Sequence, residues 1–279
     1  MDDPRLYRIL TLSRSVLRPS PGIGRILSAL AIGGLCHLLF ALSVLAMMAG
    51  MFHGMSKGMG SISWPWAAAT NGLLILQFPL VHSWLLSGNG SRFLAKLFPG
   101  QYGSILSTTS YATIASIQLL ALFVLWTPTG IVWWKAEGIA FYVLCSAYAC
   151  SWLLLAKASF DAGLEVQSGA LGWMSMPANI RPIFPDMPVL GLFRYVRHPI
   201  YGAFILTLWT VPTWTPDQLI IAICLTAYCL IAPLMKESRF EIRHGSRFRI
   251  YRKKVPYIFP RLLKQTISRR PDSKVGQHE

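Results

Sequence analysis

Apolar residues run continuously, without alternation, over about 25–50, 66–87, 107–127, 138–158, 199–215 and 218–235. Each run reaches or approaches the roughly 20 residues that carry a helix across a hydrocarbon core. Unbroken apolarity favours helices over a barrel, whose strands alternate with period two. The pattern predicts an all-α fold, a polytopic membrane helix bundle of about six transmembrane helices. A polar lead carrying Arg5, Arg8, Arg14 and Arg18 precedes the first run. That lead is long, the run exceeds a signal-peptide core, and no clear small-residue cleavage site follows, so a retained first helix is expected.

Composition agrees. The chain has 279 residues, of which 53% are hydrophobic and 13% charged, whereas soluble domains carry about a quarter charged residues. The net charge of +15 is unevenly placed, with half of the 26 Lys and Arg residues after residue 235. With six spans and the amino end inside, only Lys57 and Lys135 fall in outer loops. This asymmetry places both termini in the cytoplasm and points to the cell inner (plasma) membrane. A basic collar on an anionic leaflet accounts for the charge better than nucleic-acid binding does, so membrane lipids are the expected partners. Cys36, Cys145, Cys150, Cys224 and Cys229 all lie in apolar runs, with neither metal-ligand spacing nor an even count. They read as small buried residues, and no metal site is implied.

The chain divides into a basic cytoplasmic amino end (1–24), a four-helix membrane half (25–158), a cytoplasmic loop (159–198), a hairpin with an interfacial helix (199–260) and a basic tail (261–279) expected to be disordered. Seven Gly and Pro residues between 163 and 188 predict a mostly irregular loop, while Trp173, Met174, Met176, Ile180 and Phe184 predict that it packs on the bundle. Over 237–254, Phe240, His244, Phe248 and Tyr251 share one stripe against Arg239, Arg243, Arg249 and Arg252, the pattern of an interfacial amphipathic helix. Gly245 is expected to weaken or bend it, and Val255-Pro256 to end it.

The chemistry gathers at the inner mouth of the 199–235 hairpin. Pro199 suits a first helical turn, which puts His198 at the helix start and Tyr201 on the same side. The return helix brings Glu237 back to that depth, so His198, Tyr201 and Glu237 form one candidate site with Arg194, Arg197 and Tyr251. Arginines and a helix amino end favour a carboxylate, Glu237 an ammonium, and aromatic faces an adenine or a sulfonium.

Gly191-Leu192-Phe193-Arg194-Tyr195-Val196-Arg197-His198-Pro199-Ile200-Tyr201 resembles the Gly-x-Tyr-Arg-x-x-Arg-His-Pro-x-Tyr signature of isoprenylcysteine carboxyl methyltransferases and their relatives, the phospholipid and methanethiol S-methyltransferases. Lys236-Glu237, Phe240, His244-Gly245, Phe248, Tyr251, Val255-Pro256 and Pro260 are similar to the second signature, with Lys236 in place of its first acid and His244 in place of Phe. Leu76-Gln77-Phe78-Pro79-Leu80-Val81-His82-Ser83, Phe160-Asp161 and Leu208-Trp209-Thr210-Val211-Pro212 resemble the methanethiol and NnrU-like branch. The resemblance implies S-adenosylmethionine as cofactor, bound by Arg197, His198, Tyr201, Glu237 and Tyr251. His82 is the candidate catalytic group, favouring a thiolate. The implied function is methyl transfer to a small thiol such as methanethiol. The alternatives are a lipid or isoprenylcysteine acceptor and a non-enzymatic NnrU-like accessory or transport protein.

Overall fold

The computed structural model describes residues 3–260, so the basic tail at 261–279 lies outside the described residues. The protein is an all-α helix bundle, and four of its helices are long and apolar enough to cross a membrane. It begins with α1 (Pro4–Leu17), whose amino end is capped by the Asp3 carboxylate accepting from the Arg5 N–H at 2.9 Å. The long helix α2 (Ile23–Phe52) carries Ala29, Gly33, Cys36, Ser43, Met47 and Gly50 along one buried stripe. Small residues there let the backbone of α6 (Ser107–Val124) approach closely, and α2 and α6 form the most extensive helix pair.

Between them lie α3 (Trp66–Leu85) and the short α4 (Gly88–Leu94) and α5 (Gln101–Ile105). Three polar rungs tie α3 to α6 and the chain beyond it. Asn71 exchanges two hydrogen bonds with the backbone of Thr127, at 2.8 and 3.0 Å. Gln77 and Gln118 exchange amide bonds at 2.7–2.9 Å, and His82 meets Tyr111. In lipid such pairs satisfy groups that water cannot reach.

One end of the bundle is closed by β1 (Trp134–Lys135) pairing antiparallel with β2 (Thr213–Trp214). Beneath it, buried Asp217 accepts from the Trp126 indole at 3.0 Å and the Thr129 hydroxyl at 2.6 Å, fixing the start of α10 (Pro216–His244). Met51, Leu122, Trp126, Leu208, Ile221 and Leu225 pack together below this lid.

The second half differs from expectation in three places. Helix α7 (Gly138–Gln167) runs past residue 158, although its dihedrals break at Gly163 (φ 102°), and α8 (Ala170–Ser175) follows. The stretch after 158 is therefore partly helical, because Phe160 and Leu164 keep the i, i+4 apolar spacing that the glycines and prolines obscure. Trp173 of α8 lies over Gly33 and donates to His37 at 2.9 Å, so the segment does pack on the bundle. The fifth span, α9 (Pro199–Trp209), has only 11 residues, because the apolar residues after it turn into β2. Finally, α10 continues through Glu237 to His244 and breaks at Gly245 (φ 53°), leaving α11 (Ser246–Lys254) as the terminal amphipathic helix.

Candidate functional site

Three pieces of chain converge where α9 begins. A 3-10 turn (Gly191–Arg194) leads into Arg197 and His198, and Pro199 opens α9. The segment after α11 returns alongside, so that the Arg197 N–H donates to the Pro256 carbonyl at 2.8 Å and the His198 N–H to the Tyr257 carbonyl at 3.1 Å. The last turns of α10 then present Glu237 to both side chains.

Glu237 is buried and is the centre of the arrangement. Its Oε1 accepts from Arg197 Nε and from His198 Nε2, each at 2.8 Å. The Arg197 guanidinium also donates to the carbonyls of Arg252 and Val255, at 3.0 and 2.6 Å, and lies 5.5 Å from the Tyr257 ring centre. Tyr257 and Tyr201 meet the His198 ring edge to face, at 4.8 and 5.9 Å. Tyr251 donates to the Phe193 carbonyl at 2.7 Å, joining α11 to the 3-10 turn. Burial pushes the Tyr251 hydroxyl up to about 12, which keeps it a donor.

His198 is 4% exposed, and burial, partly offset by the Glu237 hydrogen bond, pushes its pKa down to about 4. The imidazole is therefore neutral at pH 7. With Nε2 donating to the carboxylate, Nδ1 is a bare acceptor, buried and without a hydrogen-bond partner among the described residues. Native folds rarely leave such an atom unpaired, so it calls for a donor from a bound molecule. The site can thus offer an acceptor nitrogen, a carboxylate and three tyrosine faces, which suits a cationic ligand bearing N–H or O–H groups.

The structure brings Arg197, His198, Tyr201, Glu237 and Tyr251 into one cluster and leaves Arg194 apart. Arg194 is exposed, since the tight 3-10 turn aims it away from Arg197. His82 lies in the last turn of α3, in a second cluster. Its Nε2 is 2.5 Å from the Tyr111 hydroxyl, and Phe78 and Tyr228 flank its ring at 4.8 and 6.4 Å. Ser83 reaches the Tyr228 hydroxyl at 3.5 Å. Sequence reasoning missed Tyr111, Tyr228 and Tyr257. Only Tyr257 carried a local signal, its place directly after Val255-Pro256.

No family model matches the chain, and no solved structure matches it significantly. Curated relatives do. Over 218 residues the chain is 28% identical to methanethiol S-methyltransferase 2 of Bradyrhizobium diazoefficiens, covering 75% of this chain and 80% of the relative. It is 26% identical to methanethiol S-methyltransferase of Pseudomonas deceptionensis, over 72% of this chain and 75% of the relative. It is also 30% identical to nurim of Rattus norvegicus, over 57% of this chain and 62% of that protein. The chain is thus an integral membrane relative of methanethiol S-methyltransferases and nurim, in keeping with its resemblance to the isoprenylcysteine and phospholipid methyltransferase-like membrane superfamily.

Proposed function

We propose that this protein is an S-adenosylmethionine-dependent methyltransferase whose acceptor is a small thiol. One observation carries the reading: buried Glu237 holds Arg197 and neutral His198 together while His198 Nδ1 stays unpaired among aromatic faces. That donor set fits a sulfonium cofactor with an ammonium and an adenine. Glu237 Oε2, which takes neither of those bonds, suits the ammonium, Nδ1 an N–H or O–H, and Tyr201, Tyr251 and Tyr257 the cationic and aromatic parts. Bound S-adenosylmethionine supplies an activated methyl group, so the protein's task is mainly alignment.

On the acceptor side, His82 takes the thiol proton, leaving a thiolate, and Tyr111 orients the imidazole. The relatives named methanethiol S-methyltransferase support a small thiol over a lipid or prenylcysteine acceptor. Helices α1 and α11 sit at the same end of the bundle, with Arg247 of α11 and Arg5 of α1 both flanking the cavity beside residues 185–190. Together with the charge asymmetry, this supports cytoplasmic termini in the inner membrane, with the cofactor entering from the cytosol.

The test is binding of S-adenosylhomocysteine to the purified full chain, followed by transfer from methyl-labelled S-adenosylmethionine to methanethiol, hydrogen sulfide, phospholipid or prenylcysteine. Labelled dimethyl sulfide is expected. Label on lipid or prenylcysteine alone would move the acceptor assignment. Absence of cofactor binding would overturn the enzyme reading in favour of a non-enzymatic membrane accessory or transport protein.

A further inference from the structure

Asp161 stands where three elements meet, and its side chain is wholly buried. It lies on α7, two residues before the break at Gly163. Lys157, one turn earlier, reaches both carboxylate oxygens at 2.5 and 2.6 Å. The Arg5 guanidinium of α1 donates to Oδ1, and the Leu192 N–H donates to Oδ2 at 2.8 Å. One turn further along α7, Arg8 of α1 pairs with buried Glu165 at 2.8 Å.

Gly191 shows how tightly this carboxylate is built into the fold. A Cβ there would lie 2.1 Å from Asp161 Oδ2, and its φ of 59° is one that L side chains rarely adopt. The first residue of the 191–201 segment is thus glycine because Asp161 occupies the space beside it. From that anchor the chain makes its 3-10 turn, gives the Phe193 carbonyl to Tyr251, and reaches Arg197 and His198, which Pro256 and Tyr257 hold from the other side.

We propose that Asp161 is a positioning residue for the donor site, fixing the start of the 191–198 segment and so setting His198 against Glu237, with α1 as its clamp through Arg5. The inference rests on the proposed reading of the Glu237 cluster as the donor site. It gives the amino-terminal arginines a second role beyond setting topology. Arg5 neutralises a carboxylate whose other task is to hold the signature segment by its backbone.

The test uses the full chain in detergent with S-adenosylhomocysteine as probe, and amide exchange of the unliganded protein as a second readout. D161A is expected to weaken binding about tenfold or more and to speed exchange across 191–198 by a similar factor, leaving α2 and α6 unchanged. D161N keeps an oxygen for the Leu192 N–H and is expected to restore most of both. A carboxylate that served only to neutralise Arg5 and Lys157 would give no such rescue, and that result overturns the proposal. So does D161A with binding within about twofold of the unaltered protein and ordinary exchange. If the unaltered protein does not bind the probe, the donor-site reading fails, and the exchange arm alone decides the positioning role. If D161A does not fold, R5A takes its place, with faster 191–198 exchange expected and unchanged exchange counting against the proposal.

Discussion

His198 and Glu237, 39 residues apart in the chain, share a hydrogen bond of 2.8 Å that closes the α9–α10 hairpin at its open end. Because Arg197 lands on the same oxygen, the carboxylate is what keeps the imidazole and the guanidinium side by side. Glu237→Gln leaves an acceptor in place and removes the charge. It is expected to weaken S-adenosylhomocysteine binding about tenfold, and Glu237→Ala about 100-fold, by calorimetry. Cys145→Ala, in the first third of α7, is the control and should bind normally.

Stability should depend on pH through His198. Its pKa falls from 6.5 to about 4 on folding, so between these values the unfolded chain binds more protons than the folded one. Its contribution is fully present above pH 6.5 and is lost as pH falls through 4. Asp3 and Asp186, whose carboxyls are held low by the Arg5 side chain and the Met187 N–H respectively, act only below their ordinary value of 3.8. The thermal midpoint is therefore expected to drop between pH 6.5 and 4 in the unaltered protein. It should drop less in His198→Gln, which has no proton to gain. Equal slopes would show that the imidazole titrates as freely in the fold as outside it.

His82→Ala separates the two halves of the proposed reaction. Thiol methylation should fall about 100-fold while S-adenosylhomocysteine affinity stays within about twofold. Tyr111→Phe should produce a smaller loss in the same direction. A fall in cofactor affinity matching the loss of rate would place His82 with the donor instead.

Asn71→Ala removes both bonds to the Thr127 backbone and leaves a buried N–H and carbonyl unpaired. Interhelical bonds of this kind are worth about 0.6 kcal/mol each on average in membranes, and an orphaned backbone group costs more, so a loss of about 1–3 kcal/mol is expected. Reversible unfolding in mixed micelles would measure it. A change near zero would mean that water reaches Thr127.

The hairpin was legible because Pro199 fixes a helix start and the return run has a countable length, which together set His198 and Glu237 at one depth. Gly245 was legible as a break for a similar local reason. What escaped was set by partners distant in the chain. Arg5 reads as a topology anchor until Asp161, 156 residues later, is seen to take its guanidinium. Arg194 and Arg197 look equivalent in the signature, and only the 3-10 geometry before α9 separates them. Tyr111 and Tyr228 sit in apolar runs where a tyrosine has no local mark of function. The fifth span was overestimated because counting apolar residues does not distinguish a helix from the extended β2 that follows it.

The ladder between α3 and α6 also bears on how the protein reaches the membrane. Of the four long apolar helices, α6 is the least apolar and the most enclosed, and it carries Thr109, Ser110, Ser116 and Gln118 on buried positions. Alone in lipid it would bare Gln118, which Gln77 of α3 pairs in the finished bundle, and the cost of partitioning that polar side chain from the translocon would fall on it unshared. Its passage into the bilayer is therefore tied to neighbours made earlier in synthesis. Of these, Gln77 on α3 is already waiting when Gln118 leaves the ribosome.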